Sequence, residues 1–268
     1  MLAAEAGVTA LSLTDHDTTA GLDRFFAAAK SAGVQVISGV ELSADFAAAP
    51  LHILGYGFDP KNAELERVLA KVRDGRAERN SQILEKLNRL GYELTFDDVA
   101  KHAGDTLIGR PHFAAALVER GYFKNSKKIF QQLLSTGRAA YVDRRRLSPE
   151  RCVELISNAG GAAVIAHPGQ MDISTKKLQR LIEQLIPCGL AGIEVWHSSH
   201  KDEQIAVYQR LCETYHLTGT GGSDFHGTRT PYIRIGTGYG SLEVPEQVLE
   251  NLQSKVKSLS VDGREQLN

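Results

Sequence analysis

Cysteine is scarce in this chain: Cys152, Cys188 and Cys212 are an odd number, spread through amphipathic stretches without CxxC spacing. A disulfide framework and a zinc knuckle are both excluded on that count. The three read instead as thiols in a reducing cytoplasm. Long apolar runs are missing too. No segment approaches the roughly 18 apolar residues of a membrane span, and the start MLAAEAGV has no basic region or long apolar stretch of a secretion signal. The expectation is a soluble, cytoplasmic protein with no membrane partner. Nor is there an excess of either charge: Lys+Arg 31 against Asp+Glu 32 leaves a formal charge of −1. A duplex DNA partner held by counterion release is therefore not expected, and any nucleic-acid contact must be local. Phosphate-cradling GxGxxG and GxxxxGK[ST] loops do not occur.

What is present is enough to build a large core. The chain has 268 residues, 42% of them hydrophobic and 24% charged, with only eight prolines, a composition that argues against disorder. That length suits one β/α barrel or a core domain with an insertion. The periodicity predicts a strand over 8–13, a helix over 21–32 stopped by Gly33, a strand over 34–38 and a third strand over 51–58. From about Asn62 to Arg145 the pattern is helical throughout, with Thr95 to Asp98 as a capping box. Alternation resumes at Ser148-Pro149: helix to Ala159, strand 162–166, helix 174–186, strand 190–196, helix 201–216 and strand 217–220. Residues 1–61 and 147–268 thus read as two parts of one α/β domain interrupted by a helical insertion, 62–146. Such alternation implies a mostly parallel sheet. Without an open-sheet phosphate loop, a closed barrel is favoured over a doubly wound sheet.

The histidines and carboxylates fall at one kind of place. His16, Glu41, His167, His197, Asp224 and His226 sit at or just after predicted strand ends, and His52 lies near the start of another strand. In a β/α barrel those ends converge on one face. Imidazole and carboxylate together suit Zn²⁺, Mn²⁺ or Fe²⁺, and a bridging carboxylate can hold two cations around a shared hydroxide. Taken singly, each has a plainer reading. Asp15-His16-Asp17 would serve as a helix cap and Ser223 to His226 as an Asx turn, while His102 and His216 read as hydrogen-bonded loop residues. Five coincidences at strand ends favour a metal site.

Thr14-Asp15-His16-Asp17, Gly39-Val40-Glu41-Leu42-Ser43, Leu51-His52-Ile53-Leu54-Gly55, Gly109-Arg110-Pro111-His112-Phe113, Ala166-His167-Pro168-Gly169 and Gly222-Ser223-Asp224-Phe225-His226 resemble, in order, the motifs of the PHP (polymerase and histidinol phosphatase) superfamily. Within it they are most similar to the phosphoesterases that act on nucleoside 3′,5′-bisphosphates or as 5′–3′ exoribonucleases on short RNA. The resemblance implies a distorted seven-stranded β/α barrel with up to three divalent cations, Mn²⁺ before Fe²⁺ or Zn²⁺. It implies that Glu41 bridges two metals, that His52 and His167 complete one site, that Asp224 belongs to a second, and that His16 and His226 belong to a third. Catalysis would rest on Glu41, His167 and Asp224. Arg110 would fork onto a substrate phosphate, with His112 beside it. A plainer role for Arg110-Pro111 is to start a helix. The basic run Arg144-Arg145-Arg146 would guide RNA or be a solvated surface.

One family segment has no counterpart. Members open with a strand bearing Asp-Leu-His-x-His, soon followed by Ser-Asp-Gly, and this chain holds neither. The expectation is a barrel lacking its first strand, with two of the three metal sites short of ligands, as in a truncated form of a longer enzyme. Competing readings are a histidinol-phosphate phosphatase and a non-catalytic metal- or nucleotide-binding module.

Overall fold

The structure is a computed structural model that describes residues 1–104, 107–144, 146–227 and 230–265. The chain runs α1 (Leu2–Glu5), β1 (Ala10–Leu13), α2 (Leu22–Ala32), β2 (Gln35–Ala44), β3 (Leu51–Tyr56), α3 (Ala63–Arg89), α4 (Phe96–Ala100), α5 (Arg110–Glu119), α6 (Ser126–Ile129), α7 (Pro149–Asn158), β4 (Ala162–Ile165), α8 (Thr175–Leu185), β5 (Leu190–His197), α9 (Asp202–Tyr215), β6 (Thr218–Gly222) and α10 (Gln247–Glu265). It divides into two compact units, Met1–Glu66 with Leu147–Asn268, and Arg67–Arg146. The division falls inside α3 rather than before it, because a continuous helix carries no composition change at that point.

The first unit is a mixed six-stranded sheet in the order β1-β2-β3-β4-β5-β6, a half-barrel with helices around it. β1/β2, β4/β5 and β5/β6 are parallel, whereas β3 is antiparallel to both of its neighbours. The sheet is mostly parallel, as the alternation predicts, with β3 the exception. The link between β2 and β3, residues 45–50, is too short for the crossover that a parallel pair needs, so the chain turns back on itself. Because β3 is reversed, its start lies at the same edge of the sheet as the ends of the parallel strands. Among the described residues there is no seventh strand, as the missing opening motif leads one to expect.

β2 is also longer than the predicted 34–38. Its first half pairs with β1 and its second half, from Gly39, with β3. Gly39 is needed at that handover: a Cβ there would sit 2.2 Å from Ser12 Oγ and 2.5 Å from the Leu13 carbonyl oxygen. β4 and most of β5 are buried along their length, as strands covered on both faces are. One layer of the core sets Leu54, Tyr56, Ala162, Val164, Ala166 and Ala191 against Leu252 of α10, a helix the sequence reading did not anticipate. The helical unit has its own core, with Ile83, Leu87, Phe113, Leu117, Ile129 and Leu134 fully buried. Within the stretch predicted to be helical throughout, α6 ends at Ile129 and the chain continues as a π-helix, Phe130–Leu134.

Candidate metal centre

Beyond Leu13 the backbone does not leave the sheet. The Glu41 amide donates to the Asp15 carbonyl (3.1 Å) and the Asp17 amide to the Glu41 carbonyl (2.9 Å), so His16 is held alongside Glu41 as one more rung. Asp17, at φ 54° and 1% exposed, accepts hydrogen bonds from the Ser43 amide (3.0 Å) and hydroxyl (3.3 Å). That clip fixes the loop that carries His16. Glu41 stands mid-strand in β2, correcting the expectation of a strand end, and the antiparallel register opposes His52 to Ser43, two positions along. His167 follows β4 at φ 25° and ψ 59°, and Asp224 follows β6 at φ 55°. Positive φ costs energy for a side-chain-bearing residue and persists where the surroundings enforce it. For His167 the enforcement includes its amide, which donates to Glu194 Oε2 at 2.7 Å.

The Glu41 carboxylate is the centre of the cluster. His52 Nδ1 lies 2.7 Å from Oε1, His167 Nε2 3.2 Å from Oε1, and His16 Nδ1 3.3 Å from Oε2. His52 Nδ1 and His167 Nε2 are 3.3 Å apart. Burial acts to raise the Glu41 pKa, but the fields of His16 and His52 and the hydrogen bonds from His167 and His52 outweigh it and hold the carboxyl well below its ordinary range. Burial acts to lower the pKa of His167, and the Glu41 hydrogen bond and charge, with Glu194 and Asp224, reverse this and raise it to about 9.

A second group adjoins the first. Asp224 Oδ1 is 3.4 Å from His226 Nδ1, and its Oδ2 is 3.6 Å from His197 Nε2. Burial would raise the Asp224 pKa, and the contact with His197 and the His226 charge lower it instead. Ring contacts join the groups: His16 to His226 at 6.4 Å between centroids, His52 to His167 at 5.2 Å, and His167 to His197 at 5.4 Å. Behind them lies Glu194, buried in β5, whose carboxyl is raised chiefly by burial.

The donors fit a divalent cation. One nitrogen or oxygen from each of His16, Glu41 and His52 lies within 4.8 Å of the others, the span of ligands around one ion. His167 Nδ1 is buried without a hydrogen-bond partner, and His197 Nε2 is buried with the Asp224 carboxylate no nearer than 3.6 Å, arrangements that polar atoms rarely keep unless something else occupies them. Nitrogen and oxygen donors without a thiolate are the chemistry of Mn²⁺, Fe²⁺ and Zn²⁺ sites.

His16, Glu41, His52, His167, Asp224 and His226 are therefore brought together in one unit. Arg110 and His112 are in the other. Arg110 opens α5, donates from Nη1 to the Leu134 carbonyl (3.1 Å) and lies 5.5 Å over the Tyr141 ring. His112 is 4% exposed, and its Nδ1 accepts the Gly109 amide (2.9 Å), capping the helix. Of the basic run, Arg145 lies outside the described residues. Glu194 is absent from the sequence reading, which places His197 at a strand end but gives it no ligand role. The signal for Glu194 was a single carboxylate inside the apolar strand Leu190 to Trp196, where an unpaired charge is costly.

The PHP domain family matches residues 2–186. The chain is 37% identical over 217 residues to a 3′,5′-nucleoside bisphosphate phosphatase from Chromobacterium violaceum, a match covering 81% of this chain and 76% of the relative. It is 33% identical over 220 residues to a 5′-3′ exoribonuclease from Haemophilus influenzae, covering 82% and 80%. The solved structure of a metal-dependent phosphoesterase from Bifidobacterium adolescentis superposes with a TM-score of 0.81 at 29% identity, covering 94% of this chain and 88% of that one.

Proposed function

The chain belongs to the PHP domain family, and from that premise we propose that this metal-dependent phosphoesterase hydrolyses phosphate esters of nucleotides, a nucleoside 3′,5′-bisphosphate or the 5′ end of a short RNA. The observation that carries the reading is Glu41: one buried carboxylate with three imidazole nitrogens 2.7 to 3.3 Å from its oxygens. A carboxylate so placed could serve as a ligand through either oxygen. Glu41, His16, His52 and His167 would hold one part of a divalent-metal cluster, and Asp224, His226 and His197 the other. Bound there, Mn²⁺, or Fe²⁺ or Zn²⁺ in its place, supplies a hydroxide at neutral pH and neutralises charge on the phosphoryl oxygens.

The protein's own groups set the conditions for that chemistry. Glu41 holds His167 protonated, and a metal held by that ring nitrogen would require the proton to leave. Glu194 holds the His167 amide and keeps the backbone at its strained φ. Arg110 is the candidate for a substrate phosphate, with His112 fixing the start of the helix that carries it. The three cysteines are unpaired, which accords with a cytoplasmic protein.

The experiment is phosphate release from a nucleoside 3′,5′-bisphosphate, a 5′-phosphorylated short RNA and histidinol phosphate by the Mn²⁺-loaded chain, with His167→Ala alongside. Release from either nucleotide substrate, abolished in the variant, supports the reading. Preference for histidinol phosphate, or tight metal binding with no hydrolysis, overturns it.

A further inference from the structure

The loop that carries His167 has few backbone bonds of its own. His167, Pro168 and Gly169 run from the end of β4 into a 3₁₀ turn, Pro168–Gln170, whose internal bonds begin only with the Gln170 and Met171 amides. Amides ahead of those have no acceptor inside the turn and need one elsewhere. Pro168 carries no amide hydrogen, the His167 amide donates to Glu194, and the Gly169 amide donates to His200 Nε2 at 3.2 Å. Side chains from β5 and from just beyond it therefore complete the accounting.

His200 is fixed at its other nitrogen as well. Its Nδ1 donates to the Val195 carbonyl at 2.8 Å. The register of β5 with β6 shifts between Glu194 and Trp196 and steps over Val195, and the ring takes up the carbonyl at that irregularity. Together the two bonds select one neutral tautomer, with the proton on Nδ1 and the lone pair on Nε2. Burial, and then the charges of His197 and His167, lower the His200 pKa to about 4 against the pull of the Val195 carbonyl. At neutral pH the ring keeps its lone pair. Tyr208 meets it edge-on at 5.0 Å and His197 lies at 5.2 Å between centroids. Gly169 completes the fit, since a Cβ there would lie 2.6 Å from His200 Cδ2 and 3.0 Å from Gln204 Nε2 of α9. Gly169 does not have a positive φ, so closeness to the ring, and not backbone freedom, calls for glycine.

We propose that His200 is a positioning residue for the metal centre: it pins the Gly169 amide to the Val195 carbonyl and so holds His167 at the backbone angles that bring its ring to Glu41. This role rests on the metal-centre reading. It adds that the His167 loop is held at two points, by Glu194 at its own amide and by His200 two residues on.

The test is the Mn²⁺ affinity of the full chain against a competing chelator, with hydrogen exchange at the Gly169 amide of the metal-free protein as a second readout. His200→Ala is expected to weaken Mn²⁺ binding about 10- to 100-fold and to speed Gly169 exchange about tenfold or more. His200→Gln, whose Oε1 can still accept from Gly169, is expected to restore affinity to within about fivefold of the unaltered chain. Gly169→Ala is expected to cost about tenfold while His200 is present and less than about twofold in His200→Ala, where the ring it strikes is gone. Unchanged Mn²⁺ affinity in His200→Ala, whatever its Tm, reduces the ring to packing and overturns the role. An equal cost of Gly169→Ala in both backgrounds, or a Gln variant as weak as the Ala variant, overturns it too. If His200→Ala does not fold, weakened binding in Gly169→Ala with binding kept in His200→Gln supports the role, and any other pairing overturns it. An unaltered chain that binds no Mn²⁺ removes the metal-centre reading; Gly169 exchange then decides the clamp by itself, faster in His200→Ala if it holds and unchanged if it does not.

Discussion

The two units concentrate charge in opposite ways. In the half-barrel, one buried carboxylate is surrounded by imidazoles drawn from positions 16, 52 and 167, and the group neutralises itself: Glu41 is held ionised and His167 takes up a proton. In the helical unit, guanidiniums from positions 76, 79, 110, 144 and 146 act on one another, and burial and repulsion both work against Arg79. The first arrangement is stable alone and must give up a proton to take a cation. The second carries permanent charge, which the burial of Arg79 makes costly. A phosphoesterase needs both kinds of site, one for ions that activate water and one for phosphate oxygens, and these differ in what removes or supplies a charge.

The sharpest way to break the comparison is at its centre. Glu41→Gln removes the shared carboxylate while keeping its size, so Lewis-acid stabilisation worth several kcal/mol is lost, and kcat for phosphate release should fall about 10³-fold or more. Elemental analysis of the variant should show depleted metal. Full metal content with full activity would place the chemistry elsewhere. Next in size is Glu194→Gln. The carboxylate touches His167 only through the backbone amide, at 2.7 Å, so the expected loss is about 10- to 100-fold in metal affinity, the usual scale for a residue that orients a ligand. Titration with Mn²⁺ against a competing chelator measures it, and an unchanged affinity would reduce Glu194 to core.

How far these residues could be found from sequence depended on how local their signal was. His167 follows an apolar run directly, and His16 and Asp224 come within a few residues of a predicted strand, so their place at strand ends was legible. His52 was legible as a residue near a strand start, but its arrival at the same edge depends on the reversal of β3, which follows from the short link after Ala44. Glu41 was found, but at an expected strand end. β2 in fact continues because β3 offers it a new partner where β1 stops, a long-range event. α10 left a readable trace, since Leu252, Val256 and Leu259 recur at helical spacing and pack on the β3–β4–β5 layer. The arginines left a partial trace: Arg110 and the run from Arg144 to Arg146 stood out in the sequence and Arg76 and Arg79 share one helix, but only packing shows that they act on one another.

Acidity separates the two units in a single experiment on the metal-free chain. The folded-state pKa of His167 is raised from about 6.5 to about 9, so its stabilising protonation is fully present below about pH 6.5 and lost as pH rises to about 9. Arg79 behaves inversely: its lowered pKa means that the penalty for its charge is complete below about pH 9 and is relieved only above it. Melting followed by near-ultraviolet circular dichroism should therefore show the Tm falling by a few degrees between pH 6.5 and 9. Saturating Mn²⁺ should flatten that fall, because coordination replaces the proton. A Tm that rises over this window in the metal-free chain would contradict the His167 assignment.

The smallest effect asks whether strain in the half-barrel belongs to the scaffold or to the site. Asp17 shares positive φ with His167 and Asp224, sits one residue from His16, and is as deeply buried as any ligand candidate. Its oxygens, however, accept from Ser43, at 3.0 Å from the amide and 3.3 Å from the hydroxyl. Asp17→Asn keeps one acceptor for the amide and presents a donor to the hydroxyl, which can accept it. The cost should be about 1 kcal/mol, a Tm lower by about 2 to 4 °C, with metal content and kcat unchanged. Asn also tolerates left-handed backbone as well as Asp does, so φ is not what the substitution perturbs. If metal content falls while the Tm holds, Asp17 belongs among the ligands and the division between clip and cluster is wrong. If the Tm falls and the metal stays, the loop is a scaffold that holds His16 beside Glu41 without taking part in the chemistry.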